Sequence, residues 1–133
     1  MALNPKTAVA QRNLGLEAMT PQLDGGFCDI YSGTQPAGPD SPVSGGAVLL
    51  ARLALSSPAF APASGGQAVA NAISSASALA DGVAAWFRLT TSGGVAKHDG
   101  SVGTSGCDLN VTATSFVAGA TIAVSSCVIT FPA

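Results

Sequence analysis

The side chains best suited to chemistry lie close together in the stretch Asp81–Gly103. It holds the only tryptophan, the only histidine and two of the five basic residues of this 133-residue chain. Its His98-Asp99 pair has the residue types of a metal-binding dyad, or of the base and acid in a Ser/His/Asp triad. Such a dyad needs further histidines, which the chain lacks, and no G-x-S-x-G element marks a nucleophilic serine. We therefore predict that the pair is half exposed at a strand end and is neither catalytic nor metal-binding.

Two other motifs also predict no chemistry. Gly100–Gly106 is rich in glycine but lacks the lysine and the following helix of a phosphate-binding loop. Asn110 opens a formal glycosylation sequon, which matters only in a secreted protein, and the N-terminal segment lacks the apolar run of a secretory signal. The sequence thus predicts a non-enzymatic protein made in the cytosol, with no catalytic residue, no metal and no cofactor.

A β-hairpin is predicted to position the residues of the stretch Asp81–Gly103. Residues 83–90 alternate with a period of two, which is the pattern of a half-buried strand. The set predicted to face the core is Val83, Ala85, Phe87 and Leu89. Glycines at 93 and 94 supply a turn, and extended patterning resumes from Val95 to Asp99. Trp86 and Arg88 are therefore predicted to share the face opposite the core.

An interface is the predicted role of this Trp86/Arg88 face, because tryptophan and arginine are the residues most enriched at binding hot spots. The alternative is that the N-terminal helix or the loop Ser32–Gly46 covers Trp86 within the same chain. That helix is predicted to start at Asn4 and to end before Pro21, and as an amphipathic arm it is expected to join the interface. The predicted interface residues are Trp86, Arg88, Val9, Arg12, Leu16 and Met19.

The remaining segments predict an all-β fold. Further strands are expected at Phe27–Tyr31, Ala47–Leu55, Gln67–Ile73, Leu109–Thr114 and Thr121–Phe131, the last with a bulge near Ser125-Ser126. Short strands separated by turns every about 8–12 residues are typical of an antiparallel β-sandwich or jelly roll. We predict that fold, with residues 1–24 as an N-terminal helix or arm and residues 25–133 as the β-sandwich domain.

The composition narrows the class of partner. Only 9% of the residues are charged, against about a quarter in an average soluble domain, so the surface is close to neutral and suits a protein that packs against others. A net charge of −2 with scattered basic residues argues against nucleic-acid binding. No apolar run reaches the about 20 residues of a membrane-spanning helix. An odd count of three cysteines without a C-x-x-C motif favours reduced, buried thiols.

Several short motifs resemble a known group of proteins. They are W-F-R at 86–88, S-G-G at 92–94, H-D-G-S-V-G at 98–103, a closing I-T-F-P-A, and G-G-x-x-x-I-Y-S-G-T-Q-P at Gly25–Pro36. With these motifs the chain resembles, nearly end to end, small structural proteins of tailed bacteriophages and prophages, and is most similar to capsid decoration (cement) proteins. The resemblance implies a jelly-roll or β-sandwich domain that sits as an oligomer on the head shell, and it brings no catalytic residues.

The resemblance also implies a function and partners. We expect a virion protein on the outer capsid surface, present in the host cytoplasm during assembly, that binds the major capsid protein and stabilises the expanded capsid. It is expected to bind itself as a homodimer or homotrimer, and to bind neither nucleic acid nor membrane. A tail or fibre component is the alternative of the same structural class. A carbohydrate-binding β-sandwich module is a different class, and it would need exposed aromatic rings where the chain has one tryptophan and one tyrosine.

Overall fold

The computed structural model describes residues 4–43 and 45–131 of the chain, and within them the fold is mostly β with a short N-terminal helix, as predicted. The helical elements are α1 (Val9–Met19) and a 3-10 turn (Thr20–Leu23). The strands are β1 (Phe27–Tyr31), β2 (Leu49–Ala54), β3 (Gln67–Val69), β4 (Ala76–Ser77), β5 (Gly82–Val83), β6 (Trp86–Thr90), β7 (Ala96–Gly103), β8 (Leu109–Val111), β9 (Ser115–Phe116), β10 (Thr121–Ile122) and β11 (Val124–Thr130). No helix in the described ranges is long and apolar enough to cross a bilayer.

A mixed seven-stranded sheet forms the body of the fold, in the order β2-β1-β6-β7-β8-β11-β3. Two short pairs, β4 with β10 and β5 with β9, stand beside it. The predicted purely antiparallel pairing is wrong at β7 and β8, which run parallel for two residues. Parallel neighbours normally need a crossover of a dozen or more residues. Here the Asp108 carboxylate instead accepts hydrogen bonds from the backbone N–H (3.1 Å) and the hydroxyl (3.2 Å) of Ser101, and these bonds fix the short connection.

The two outer strands of the sheet are linked through the chain that follows β3. Ala70 N donates to Cys127 O on β11 at 2.9 Å, whereas Ser74 N donates to Ala54 O at the end of β2 at 3.0 Å. The free edge of β3 is covered as well, because Ala61 N donates to Val69 O at 2.8 Å. Exposed strand edges can pair with other chains. In this sheet, much of the backbone at the outer strands is already hydrogen-bonded within its own chain.

The core consists mainly of aliphatic side chains, because aromatic residues make up only 5% of the chain and hydrophobic residues 47%. Its fully buried members include Leu16, Leu23, Cys28, Ile30, Leu50, Leu53, Phe87, Leu89, Leu109 and Ile129. Most come from β1, β2, β6, β8 and β11, whose alternate residues point to the same side of the sheet. The opposite side of β2, β1, β6 and β7 carries charged and aromatic residues instead.

Helix α1 packs on the sheet near the ends of β3 and β11. A Cβ at Gly15 would lie 2.9 Å from the Phe131 ring, so the absence of a side chain there allows the close approach. Asn13 Oδ1 accepts a hydrogen bond from Gly66 N at 2.9 Å. The helix begins at Val9, with Ala8 as a cap that makes no side-chain hydrogen bond, so the predicted start at Asn4 is wrong. The predicted division into residues 1–24 and 25–133 stays a prediction, although α1 contacts the sheet directly.

The predicted hairpin is confirmed as β6 and β7, but its first strand begins at Trp86 and not at residue 83. Val83 belongs to β5 and is exposed, and Ala85 is exposed too. The prediction that these two residues face the core is therefore wrong. The cause is a change of partner, because Ala84 N donates to Thr114 O at 2.8 Å while Ala85 N donates to Tyr31 O at 2.9 Å. The chain therefore leaves β9 and joins β1 at this point, and the period-two pattern is interrupted.

Candidate functional site

Four charged residues lie in one line across the side of the sheet that faces away from the core. The strand registers place Arg52 opposite Asp29, Asp29 opposite Arg88, and Arg88 opposite Asp99. Arg52 Nε and Nη2 donate to Asp29 Oδ1 and Oδ2 at 2.8 and 3.0 Å. Arg88 Nε and Nη2 donate to Asp99 Oδ1 and Oδ2 at 2.8 and 3.0 Å. The four residues are named here the charged row. It contains two bidentate arginine–carboxylate salt bridges, which are strong and geometrically specific.

The two bridges of the charged row differ in burial. The side chains of Arg88 and Asp99 are 8% and 2% exposed, whereas Arg52 is 49% exposed over an Asp29 that is 3% exposed. The hydrogen bond to Asp99 raises the pKa of Arg88 even though burial acts in the opposite direction. The hydrogen bond to Asp29 likewise raises the pKa of Arg52. Both guanidinium groups therefore stay charged. Loss of one partner is expected to destabilise the protein more at the buried Arg88–Asp99 bridge than at the half-exposed Arg52–Asp29 bridge.

An aromatic pair adjoins the charged row. The rings of Tyr31 and Trp86 stack with centroids 4.5 Å apart and an angle of 13° between their planes. Arg88 Cζ lies 5.4 Å from the Trp86 ring centroid, which is within the range of a cation–π contact. Burial, followed by the nearby Asp29 charge, raises the pKa of Tyr31. The arrangement holds Trp86 in a fixed orientation.

The loop between β1 and β2 covers this face. Trp86 Nε1 donates to Ser32 O at 3.2 Å, and Arg88 Nη2 donates to Gly38 O at 3.3 Å and to Ser41 O at 2.9 Å. As predicted, Trp86 and Arg88 share the face opposite the core, but the Trp86 side chain is fully buried. The alternative in which the loop covers Trp86 therefore describes the structure. The ring offers no surface to a partner in this conformation.

The helix residues predicted for the interface are placed unevenly. Val9 is 45% exposed, whereas Leu16 is fully buried in the core and Met19 packs against the core. Arg12 is partly buried, and its guanidinium donates to Thr7 O at 3.0 Å and to Phe131 O at 3.3 Å. Leu16 and Met19 therefore contribute to the fold of their own chain. An interface role for Val9 and Arg12 stays a prediction.

The His98-Asp99 pair does not act as one unit. Both residues lie inside β7 rather than at a strand end, and they point to opposite sides of the sheet. His98 lies opposite Leu89, and its ring centroid is 6.2 Å from that of Phe87. Burial lowers the pKa of His98, although the nearby Asp108 and Asp99 charges act in the opposite direction. Within residues 4–43 and 45–131, no group of three or more His, Cys, Asp or Glu side chains could hold a metal ion.

The three cysteines are free and differ in accessibility. Cys28 and Cys127 are buried in the core, whereas Cys107 is partly exposed. Burial raises the pKa of Cys28 well above its ordinary value and raises that of Cys127 to about 12. These two thiols therefore behave as small core hydrophobes rather than as nucleophiles.

A second surface, missed in the sequence, is apolar and exposed. Leu79, Val83 and Val117 are 61%, 62% and 61% exposed and are named here the apolar face. Val83 pairs with Ser115 across β5 and β9, so Val117 follows on the same side two residues later. Exposed and less exposed residues alternate from 79 to 83 and from 115 to 117. In the sequence the matching signal is the alternation of Leu79, Asp81 and Val83 with the small residues Ala80 and Gly82, but the assignment of Val83 to the core concealed it.

Comparisons of the chain with protein-family models, with curated proteins and with solved structures found no match in any of the three.

Proposed function

We propose that this chain is a non-enzymatic structural protein of a tailed-phage virion. Its role is that of a head decoration protein, with a β-sandwich or jelly-roll domain that binds the major capsid protein and stabilises the expanded capsid. The motifs at Gly25–Pro36 and in the β6–β7 hairpin suggest the group of proteins, as described above. The apolar face is the structural observation that carries the proposal, because it gives the domain a surface suited to a protein partner.

The apolar face has the properties of a contact surface. The segments that carry its three residues are neighbours, because Val83 pairs with Ser115 and Gly119 N donates to Ala78 O at 2.9 Å. Exposed apolar side chains that cluster on a soluble domain mark protein interaction sites. The carboxylate between Leu79 and Val83 in the sequence, Asp81, accepts a hydrogen bond from Ala118 N at 2.7 Å. Covering a Val or Leu side chain completely stabilises a complex by about 1.5–3 kcal/mol. Because these three side chains are about three-fifths exposed, covering them contributes about 1–2 kcal/mol each, and the cost of association is subtracted from that sum.

Stabilisation of a capsid would follow from mass action. A protein that binds the expanded lattice and not its precursor stabilises the expanded form by its binding free energy. This amounts to about 2.7 kcal/mol per site at a free concentration one hundred times Kd. Because the shell repeats the same site many times, the binding free energies of all occupied sites add. Even a moderate affinity at each site therefore stabilises the expanded shell.

The alternatives differ in what they require of the surface. A carbohydrate-binding module needs an exposed aromatic ring, whereas Trp86 is fully buried and one face of the Tyr31 ring lies on it. A tail or fibre component would use the same apolar face against a different subunit. The difference between head and tail is therefore a matter of which assembly the protein binds.

Co-sedimentation with purified particles tests the proposal. The particles are empty expanded heads, unexpanded heads and tails of the phage whose structural genes flank this one. We expect wild-type protein to pellet with expanded heads only, and Val83→Asp to remain in the supernatant. Val95→Asp is the matched control, because Val95 is also a highly exposed valine but lies in the turn between β6 and β7.

Three outcomes would count against the proposal. Wild-type protein that binds no particle would overturn it, and binding to tails alone would establish the tail alternative. Equal loss of binding in Val83→Asp and Val95→Asp would show that the apolar face is not the contact surface.

A further inference from the structure

A groove lined by prolines lies between the end of α1 and the chain that covers β3. Its volume is about 290 Å³, and it is lined by Thr20, Pro21, Pro58, Phe60 and Pro62, with Glu17 alongside. Proline rings and a phenylalanine make rigid apolar walls. This proline groove is separate from the apolar face and from the charged row.

Glu17 gives the proline groove a charge preference. It is the chain's only glutamate, it is exposed, and its side chain makes no hydrogen bond or ion pair among the described residues. Other carboxylates, such as Asp24 and Asp81, accept backbone hydrogen bonds. A ligand that suits the groove therefore combines an apolar or proline-containing stretch with one cation.

Residues 4–8 of the same sequence have this chemistry. They read Asn-Pro-Lys-Thr-Ala, lie outside any helix or strand, and are exposed at every position. Ala8 has φ −60° and ψ 146°, which is the polyproline II conformation in which proline-containing segments dock on aromatic grooves. Lys6 makes no hydrogen bond or ion pair among the described residues. The 4–8 segment is thus an exposed, irregular stretch with one proline and one unpaired cation, and it ends in a residue of polyproline II conformation.

The groove of the same molecule does not hold this segment, because none of residues 4–8 lines it. Arg12 Nε donates to Thr7 O at 3.0 Å and holds the segment at the start of α1. Glu17 lies eight residues after Val9, which corresponds to a rise of about 12 Å along the helix. The 4–8 segment therefore lies at the opposite end of α1 from Glu17 in this structure, which leaves the groove accessible to the same segment of another copy.

We infer that the 4–8 segment of one copy docks in the proline groove of a second copy, with Pro5 against the apolar walls and Lys6 paired with Glu17. A reciprocal exchange gives a dimer, and a cyclic exchange gives a ring such as a trimer. The contact is short and its ion pair is exposed, so the assembly is concentration-dependent and weakens as salt screens the charges.

Charge reversal tests this pairing directly. Sedimentation equilibrium and native mass spectrometry are run on wild-type protein, Lys6→Glu, Glu17→Lys and the double variant. We expect each single reversal to raise the dissociation constant about three- to tenfold, and the double variant to recover most of the loss. Lys97→Glu is the matched control, because Lys97 is the chain's only other lysine and lies on β7. Pro5→Ser should also weaken the assembly without changing the circular dichroism spectrum, since position 5 is exposed.

Several results would overturn the inference. A wild-type protein that stays monomeric at every concentration would do so, as would a double variant no better than the single ones. Equal weakening by Lys97→Glu would show a general charge effect instead of a pair. The head-binding assay is independent of these results, because a monomer that still pellets with expanded heads removes the exchange of the 4–8 segment and leaves the proposed function standing.

Discussion

Replacing Arg88 with methionine should destabilise the protein more than replacing Arg52, the other arginine of the charged row. Asp99 would keep its burial, with 2% of its side chain exposed, but would lose its only salt-bridge partner. Removing one partner of a buried ion pair costs about 3–5 kcal/mol. The carbonyls of Gly38 and Ser41 would lose a donor as well. The expected loss of about 3–5 kcal/mol is a large fraction of the free energy of unfolding of a typical domain, which is about 5–15 kcal/mol.

Arg52→Met provides the matched control. Its bridge to Asp29 has the same Nε–Oδ1 distance of 2.8 Å, but the Arg52 side chain is 49% exposed. Water can reach Asp29 once Arg52 is shortened, and Arg88 still lies opposite Asp29 on β6. We expect a loss of about 1 kcal/mol, in the range of exposed pairs. The double variant Arg88→Met/Asp99→Leu should recover part of the Arg88→Met loss, because no carboxylate is then buried alone.

Urea unfolding followed by tryptophan fluorescence is the assay. Trp86 is the only tryptophan, its ring stacks on Tyr31, and its Nε1 donates to Ser32 O. The fluorescence signal therefore reports on the Trp86/Arg88 face itself. Circular dichroism in parallel reports on the sheet. Equal losses below about 1 kcal/mol for Arg88→Met and Arg52→Met would refute the reasoning from burial. A double variant as unstable as Arg88→Met would show that the loop carbonyls, and not the unpaired carboxylate, cause the loss.

The thiols and the histidine provide two more predictions. Iodoacetamide should label Cys107 well before Cys28 and Cys127, because burial raises the pKa of the latter two and blocks the reagent; peptide masses measure this, and equal labelling would contradict it. Because burial lowers the pKa of His98, the unfolded state binds this proton more tightly, and the free energy of unfolding should fall as the pH drops below about 6.5 until it passes the folded pKa. His98→Gln should flatten this dependence in urea titrations between about pH 7 and pH 5, and an unchanged slope would assign it to another group.

Local patterns in the sequence were enough to predict several strands. β1 has the predicted bounds, because Cys28 and Ile30 share one face of a five-residue strand and turn residues flank that strand. The bulge expected near Ser125-Ser126 is confirmed as a shift of register between Val124 and Ser126. Such features depend on the period of two within a few residues, and this information is fully contained in the sequence around each position.

The sequence could not show that the loop between β1 and β2 covers the Trp86/Arg88 face, because this cover depends on contacts between residues that are distant in sequence. Arg88 contacts the carbonyl of Gly38, fifty residues earlier, and no local pattern shows which loop will lie over Trp86. The exchange of partners at Ala84 and Ala85 is similar, since it depends on where Thr114 and Tyr31 lie in space. Polar loops rich in glycine and proline carry little periodicity, so the sequence predicts their existence but not the surface that they cover.

The charged row also bears on how the strands find their correct alignment during folding. A slip of one residue between β1 and β6 would turn Phe87 and Leu89 out of the core and is penalised by the hydrophobic pattern. A slip of two residues would keep both side chains inward, and a core of similar aliphatic residues would discriminate weakly against it. It would, however, place Arg88 opposite Phe27 or Tyr31 instead of Asp29 and misalign the row. We therefore expect the alternating charges to select one register among those that the aliphatic core alone would accept.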